Sequence, residues 1–144
     1  MPSYQLRFSQ ELVDTLYEKI LRKMLIEKRY LVPGYTARQL AEELHTNTRY
    51  ISATMSRRFG TNFSQLLAGF RVREAAAVLT NRKTADITME ELATRCGFNS
   101  RQALYIAFQS VMGTTPRLYQ NDFNDKRRQA GTAKPKHTTT TPNT

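Results

Sequence analysis

The sequence is short of the residues that build cross-linked or membrane-spanning structures. Cys96 is the one cysteine, so no disulfide can form within the chain, and a reducing compartment suits it. No segment approaches the roughly 18 apolar residues that a membrane helix needs. The first residues, from Met1 to Arg7, lack the apolar run of a signal peptide. These absences predict a soluble protein of the cytoplasm.

Residues suited to catalysis are also sparse. The chain has two histidines: His45 lies at the end of a predicted helix, and His137 lies in a polar C-terminal tail. No Cys/His set could bind zinc, and no glycine-rich loop could cradle a nucleotide. The sequence therefore predicts no enzyme, no catalytic residue, no metal site and no cofactor.

Acidic residues are outnumbered by basic ones. The 144 residues include 22 Lys or Arg and 12 Asp or Glu, which gives a net charge of +10 and a pI near 10.1. The last segment, 124–144, has a charge of +4, so the remaining residues keep +6. Such an excess indicates a polyanionic partner, either nucleic acid or an acidic membrane surface. The first predicted helix carries several acidic residues, which argues against a membrane-bound amphipathic helix.

Apolar residues at helical spacing are abundant. Strand-like alternation is rare, and no Asn-Gly or Asp-Gly hairpin turn occurs. In the first helix, Leu12, Leu16, Ile20 and Met24 recur at four-residue steps and predict one buried stripe, with Ser9 as the N-cap. We predict an all-α fold of about seven helices, near residues 10–30, 37–44, 48–59, 63–79, 88–97 and 99–112, with a short last helix from 115.

Two segments of the chain repeat each other. The pattern Thr-x-x-x-Leu-Ala-x-x-Leu at 36–44 recurs as Thr-x-x-x-Leu-Ala-x-x-Cys at 88–96, which predicts that Cys96 is a core residue. In each copy a second amphipathic helix follows and ends at a glycine, Gly60 or Gly113. The second copy is shifted by one residue in the intervening turn, at Gly97-Phe98. Each copy is a helix, a short turn and a helix.

Each copy is typical of a helix-turn-helix unit. Small residues, Ala41 and Ala93, let the two helices approach closely, and one face of the second helix stays outward. The major groove of B-DNA, about 12 Å wide, admits such a helix. The long helix between the copies, about 25 Å, could hold two of them near the roughly 34 Å separation of successive groove turns. A single corner of this kind is common in small helical domains, whereas two copies in a basic chain favour DNA binding.

The same residues resemble a known family. The stretch from Ile87 resembles the second half of the AraC/XylS DNA-binding domain at Ile87, Thr88, Leu92, Ala93, Cys96, Gly97, Phe98, Phe108, Gly113, Pro116 and Tyr119. Gly60-x-x-Phe63, and a linker with Arg71 and Ala75, resemble the part before it. The resemblance covers about residues 31–119. It implies a bacterial transcription regulator that binds double-stranded DNA with two recognition helices, in a short stand-alone form with no small-molecule effector domain in this chain.

The outward faces of the two second helices supply candidate base-reading residues. These are Arg49, Ser52, Ala53 and Ser56 in the first copy, and Arg101, Gln102, Tyr105 and Ile106 in the second. Arg49 could pair with guanine, Gln102 with adenine, and Ala53 could touch a thymine methyl. Tyr105 and Ile106 either contact thymine methyls or are partly buried. Because Ser52 and Ala53 are small, we expect light base reading by the first copy.

Other residues are candidates for contacts with the DNA backbone. They are Thr36, Arg57, Arg58, Lys83 and Arg117, together with the N-termini of the second and fifth helices. Gln120 stands where the family often has arginine, which is expected to remove a phosphate or structural contact.

We predict three segments: an N-terminal helix at 1–34 that packs on the domain, a DNA-binding domain at 35–122 with units at 36–60 and 88–113, and a disordered, basic, Thr-rich tail at 123–144. DNA in the nucleoid is the predicted partner, and RNA polymerase is a second candidate. The alternative is a helical protein-interaction module that docks on another regulator or on polymerase without specific DNA reading. The positive charge of the outward faces favours DNA.

Overall fold

Three long helices and four shorter ones make up the described part of the chain. The computed structural model describes residues 3–140, with side chains from Gln10 to Gly131. Within residues 3–140 the backbone forms seven α-helices and no strand: α1 (Ser3–Leu25), α2 (Ala37–Glu43), α3 (Thr48–Thr54), α4 (Phe63–Thr80), α5 (Met89–Arg95), α6 (Arg101–Met112) and α7 (Pro116–Thr140). A 3-10 turn (Arg29–Leu31) follows α1, and a π-helical turn (Met55–Phe59) continues α3. The all-α prediction with about seven helices is confirmed.

The N-terminal helix packs on the first helix-turn-helix unit. Leu16, Ile20 and Met24 of α1 are almost fully buried, in one core cluster with Leu40 of α2 and Ile51 of α3. The four-residue spacing places these side chains on one face, and their burial removes apolar surface from water. This core crosses the boundary expected at residue 34, so α1 and the first unit share one hydrophobic core.

Polar contacts fasten the end of α1 and the 3-10 turn to α2. Glu43 of α2 accepts hydrogen bonds from the Tyr35 hydroxyl at 2.7 Å and from the Arg29 guanidinium, and Lys23 Nζ lies 3.4 Å from it. Burial alone would raise the pKa of Glu43, but the hydrogen bonds from Arg29 and Tyr35 outweigh it, so this pKa is lowered. The carboxylate therefore stays charged and holds the three segments together.

The second core lies beyond the middle of α4. Val72 and Leu79 of α4 pack there with Leu92 of α5 and with Leu104 and Phe108 of α6. The first half of α4 belongs instead to the first core. Its 18 residues span about 27 Å, so α4 connects the two cores as a single continuous helix.

The ends of two helices differ from the prediction. Ser9, the predicted N-cap, lies inside α1, because no glycine or proline interrupts the helix after Ser3. α1 ends at Leu25. Lys28 then adopts a left-handed conformation with φ 52°, which separates α1 from the 3-10 turn. The prediction of an unbroken helix to Tyr30 is therefore wrong.

The last helix is longer than the sequence indicates. We expected a short helix and disorder from residue 123, whereas α7 continues to Thr140. Ion pairs one turn apart support its exposed part: Lys126 lies 3.2 Å from Asp122, and Arg128 lies 3.4 Å from Asp125. The role of this segment and the division of the chain into three parts remain predictions.

Candidate nucleic-acid interface

The first helices of the two units begin in the same way. Thr36 Oγ1 accepts a hydrogen bond from the Gln39 amide at 3.1 Å, and the Gln39 side chain accepts one from the Thr36 amide at 2.9 Å. Thr88 and Glu91 form the same reciprocal pair at 3.1 and 3.3 Å. A capping box of this kind satisfies amides that the helix leaves unpaired, so it fixes where α2 and α5 begin.

The second helices also begin and end alike. The Asn47 side chain caps α3 by accepting from the Tyr50 amide at 3.0 Å, and Ser100 caps α6 by accepting from the Ala103 amide at 3.0 Å. Both helical runs end at a left-handed glycine: φ is 69° at Gly60 and 74° at Gly113. The repeat found in the sequence is therefore a structural repeat.

The turns within the units differ by one residue, as the sequence predicts. His45 and Gly97 follow α2 and α5 with left-handed φ values of 56° and 91°. The chain then reaches its next helix cap at Asn47 in the first unit and at Ser100 in the second. Cys96, in the position of Leu44 in the first unit, is fully buried, and burial raises the pKa of its thiol to about 12. Its prediction as a core residue is confirmed.

The outward face of α3 presents a basic and small polar surface. Arg49, Ser52 and Ser56 are exposed and Ala53 is half-buried, while the opposite face buries Ile51. Ser56 lies in the π-helical turn rather than in a continuous α-helix, so its angular offset from Arg49 differs from the one assumed from the sequence. Ser52 and Ser56 line a surface groove of about 310 Å³.

The outward face of α6 is larger and more apolar. Arg101 and Gln102 are exposed at its N-terminal end, and Tyr105 and Ile106 are 38% and 64% exposed. Ile106 is therefore largely exposed, whereas the ring of Tyr105 is partly buried, and a contact of either side chain with thymine methyls remains a prediction. Arg101 Nη1 lies 3.8 Å from Glu90 Oε1 of α5, an exposed ion pair of low expected strength.

Among the predicted backbone contacts, Arg57 and Lys83 are exposed and Arg58 is engaged elsewhere. The Arg58 guanidinium donates to Asp14 of α1 at 2.5 Å and lies 4.0 Å from the centre of the Tyr17 ring. Arg58 therefore fastens α1 to the π-helical turn. A phosphate contact from this residue has to compete with that ion pair.

The other two predicted backbone contacts have local partners. Arg117 at the start of α7 donates to the Ile87 carbonyl at 3.2 Å and to the Gln120 side chain at 2.8 Å, so it lies beside the entrance to α5. The Thr36 hydroxyl takes part in the capping box of α2. Both residues are exposed, as a contact with DNA requires.

The chain is similar to known proteins over most of its length. A family model described as a helix-turn-helix domain matches residues 40–122, which is more than half of the chain. The chain belongs to the AraC-type helix-turn-helix family. Its family and fold are those of DNA-binding transcription regulators rather than of enzymes.

Solved structures of AraC-type domains share the fold. The DNA-binding domain of AdpA, a global transcriptional factor solved with a target DNA, is 26% identical with a TM-score of 0.65, over 78% of this chain and 96% of that one. The C-terminal domain of AraT, a response regulator from Geobacillus stearothermophilus, is 25% identical with a TM-score of 0.64, over 77% and 84%. The C-terminal domain of yesN from Fusobacterium nucleatum is 25% identical with a TM-score of 0.63, over 72% and 97%. No curated protein sequence matches the chain.

The described residues form neither a metal-binding cluster nor a membrane-spanning helix. Among them, no group of three or more His, Cys, Asp or Glu could hold a metal ion. None of the helices within residues 3–140 is long and apolar enough to cross a membrane.

Gln120, which stands where the family often has arginine, makes several contacts within the fold. Gln120 is buried, and its Nε2 donates to the Leu79 and Ala85 carbonyls, both at 2.9 Å. Arg117 donates to its side-chain oxygen. Gln120 therefore makes structural contacts of its own, because a glutamine amide has the two donors that these carbonyls need, and the loss of a phosphate contact stays a prediction.

Sequence reasoning also missed a difference between the two helix N-termini. The first turn of α5 contains Glu90 and Glu91, whereas the first turn of α2 contains no acidic residue and exposes Arg38. Because phosphates are repelled by carboxylates, the electrostatics favour the α2 terminus as the backbone contact. This difference in charge could have been found in the sequence, because Arg38 in the first unit matches Glu90 in the second.

Proposed function

We propose that this AraC-type protein recognises specific DNA sequences by reading two adjacent major-groove segments, one with α3 and one with α6. The observation that carries the proposal is the structural repeat: each unit buries one face of its second helix and leaves the other face exposed. A helix that presents an exposed polar face from a rigid corner is the element that enters the major groove in helix-turn-helix proteins.

The linker supports reading by a single chain. Each unit packs on its own half of α4, whose length is about 27 Å. Successive major-groove segments on one side of B-DNA are about 34 Å apart. Two recognition helices carried on opposite halves of α4 would therefore fit successive segments without a second copy of the protein.

The exposed side chains suggest which bases are read. Arg49 has the bidentate geometry for guanine, and Gln102 has the one for adenine, each worth about 1–3 kcal/mol of discrimination. Tyr105 and Ile106 supply apolar surface for thymine methyl groups. Ile106 is 64% exposed, and exposed apolar surface is unfavourable in water. A contact with a thymine methyl group would remove that surface from water.

Basic residues around these faces would supply affinity. Arg57, Lys83 and Arg117 are exposed, and Thr36 lies at the N-terminus of α2. Contacts of this kind position a protein on DNA and make its binding salt-dependent, but they do not read sequence. Activity in transcription would place the protein in the cytoplasm, on the nucleoid, with RNA polymerase as a second partner.

The test is affinity selection from random duplex DNA at near-physiological salt. We expect an enriched motif with two parts about one helical turn apart. Arg49→Ala should lose base preference in one part, and Gln102→Ala should lose it in the other. Arg22→Ala on α1 and Gln129→Ala on α7 are matched controls, because both side chains are exposed and lie outside the two recognition helices.

Three results would contradict the proposal. A palindromic motif would mean that two copies each read one half. Retention without any motif would reduce the protein to a non-specific basic binder. Failure to bind DNA would favour the protein-interaction alternative.

A further inference from the structure

The turn of the second unit packs against backbone that precedes the first unit. Gly97 lies in this turn, and a Cβ atom there would be 2.2 Å from the Tyr30 carbonyl oxygen and 3.1 Å from the Leu31 carbonyl carbon. No side chain fits in that space. Gly34 and Asn99 of the same two segments lie near each other, since a Cβ at Gly34 would be 4.0 Å from Asn99 Oδ1. Only glycine at position 97 permits this close approach.

A single arginine of the linker helix joins both sides of this contact. Arg71 Nε donates to the Tyr30 carbonyl at 2.6 Å, and its Nη2 donates to the Val32 carbonyl at 3.1 Å. Arg71 Nε would also lie 2.9 Å from a Cβ at Gly97. The half-buried guanidinium, on α4, therefore hydrogen-bonds the segment around Tyr30 and Val32 and lies close to the turn of the second unit.

Arg71 lies at the boundary between the two hydrophobic cores. On α4, Leu67 and Phe70 pack with the first core, and Val72 packs with the second. Tyr30, whose carbonyl accepts from Arg71, is itself buried in the first core and stacks on Phe70 with 5.3 Å between ring centres. The two units have separate cores joined by α4, and this junction adds a second connection that is placed to fix the rotation of one unit relative to the other.

We propose that Arg71 is a positioning residue that sets the spacing between the two DNA segments this protein reads. The inference rests on the proposed bipartite reading. One base pair changes the separation of two sites by about 3.4 Å and their relative direction by about 35°. A rigid junction tolerates one spacing, because a shift of this size moves a recognition helix out of register with its bases.

The experiment measures affinity against spacing. The selected motif is prepared with its natural spacing and with one base pair added or removed, and each half is also tested alone. The variants are Arg71→Met, which keeps the length of the side chain without its donors, and Arg71→Lys, which keeps the charge with one donor group. Arg73→Met is the matched control, since Arg73 is exposed on the same helix and contacts Phe70 instead.

We expect the wild type and Arg73→Met to prefer the natural spacing by about tenfold or more. Arg71→Met should bind the three spacings within about threefold of each other while it binds each isolated half as the wild type does, and Arg71→Lys should fall between them. Circular dichroism and thermal unfolding report whether each variant is folded. A purely structural role would lower stability without changing the preference among spacings.

Two outcomes would overturn the inference, and they are distinguishable. If the wild type selects a two-part motif and folded Arg71→Met or Arg71→Lys retains the full preference for its spacing, Arg71 does not set the spacing and the proposed function stands. If the wild type selects no two-part motif, the proposed function fails and the inference fails with it.

Discussion

Gln120→Met should destabilise the fold without changing its volume. The Gln120 amide donates to the Leu79 carbonyl, which belongs to the last turn of α4 and so has no partner within that helix. It also donates to the Ala85 carbonyl in the connection to α5. Methionine has a similar length and keeps the packing, but it cannot donate to either oxygen.

The magnitude follows mainly from the hydrogen bonds lost by the two carbonyls. The third lost bond, from Arg117 to the Gln120 oxygen, adds little because the exposed Arg117 side chain can turn to water. Each neutral hydrogen bond contributes about 0.5–1.5 kcal/mol net, and the upper end applies where the remaining acceptor is buried. The bond to Leu79 is buried and the bond to Ala85 is partly buried, so we expect a loss of about 2 kcal/mol in the free energy of unfolding. For a chain of this length, that loss lowers the Tm by roughly 5–10 °C.

Urea denaturation followed by circular dichroism measures this loss. The midpoint should fall while the slope of free energy against urea stays constant, because the same surface is exposed on unfolding. Gln129→Met is the matched control, since Gln129 is exposed on the same helix and its substitution should change stability by less than about 0.5 kcal/mol. A loss at position 120 that is no larger than this control would refute the stabilising role of the Gln120 hydrogen bonds at the end of α4.

Three other predictions concern single residues. His45→Gly should stabilise the fold by up to about 1 kcal/mol, because it relieves the left-handed φ at a position where the second unit has Gly97; a lower urea midpoint would contradict this. Glu90→Gln should strengthen DNA binding roughly twofold to fivefold in fluorescence anisotropy, since it removes a negative charge beside α5 and Arg101; unchanged affinity would place that terminus away from DNA. Glu43 has a lowered pKa in the folded state, so its stabilisation is complete above its ordinary pKa of 4.5 and is lost as the pH falls through the lower folded value. The difference in unfolding free energy between the wild type and Glu43→Gln should therefore shrink below about pH 4.5. A difference that stays constant down to about pH 3 would show that the charge of Glu43 does not stabilise the fold.

Local signals in the sequence predicted much of the fold. Thr36 and Thr88 each stand three positions before Gln or Glu, a spacing typical of the capping boxes that begin α2 and α5. Gly60 and Gly113 end their helices because a left-handed residue is needed there. The repeat was visible because each unit buries the same type of residue at the same spacing.

The missed features depend on contacts between distant segments. Gln120 lies 41 residues from Leu79, and Arg71 lies 41 residues from Tyr30, so neither hydrogen bond leaves a periodic trace in the sequence. Arg58 was assigned to DNA from its charge, but the chain itself supplies Asp14 as a partner. A charged residue in a basic protein has several possible partners, and only the packing of α1 shows which one is near.

The two units have the same backbone structure but different exposed side chains. This difference bears on how much each unit would contribute to DNA affinity and to sequence specificity. The face of α3 offers Arg49 and small hydroxyls beside a neutral capping box, so phosphates can approach closely. The face of α6 offers Gln102, Tyr105 and Ile106, a set with more surface for base edges. Such side chains discriminate between bases, whereas a terminus with carboxylates adds little attraction for phosphate. We therefore expect the first unit to contribute mainly affinity and the second mainly specificity, so that the half of the selected motif read by α6 has the stronger base preference.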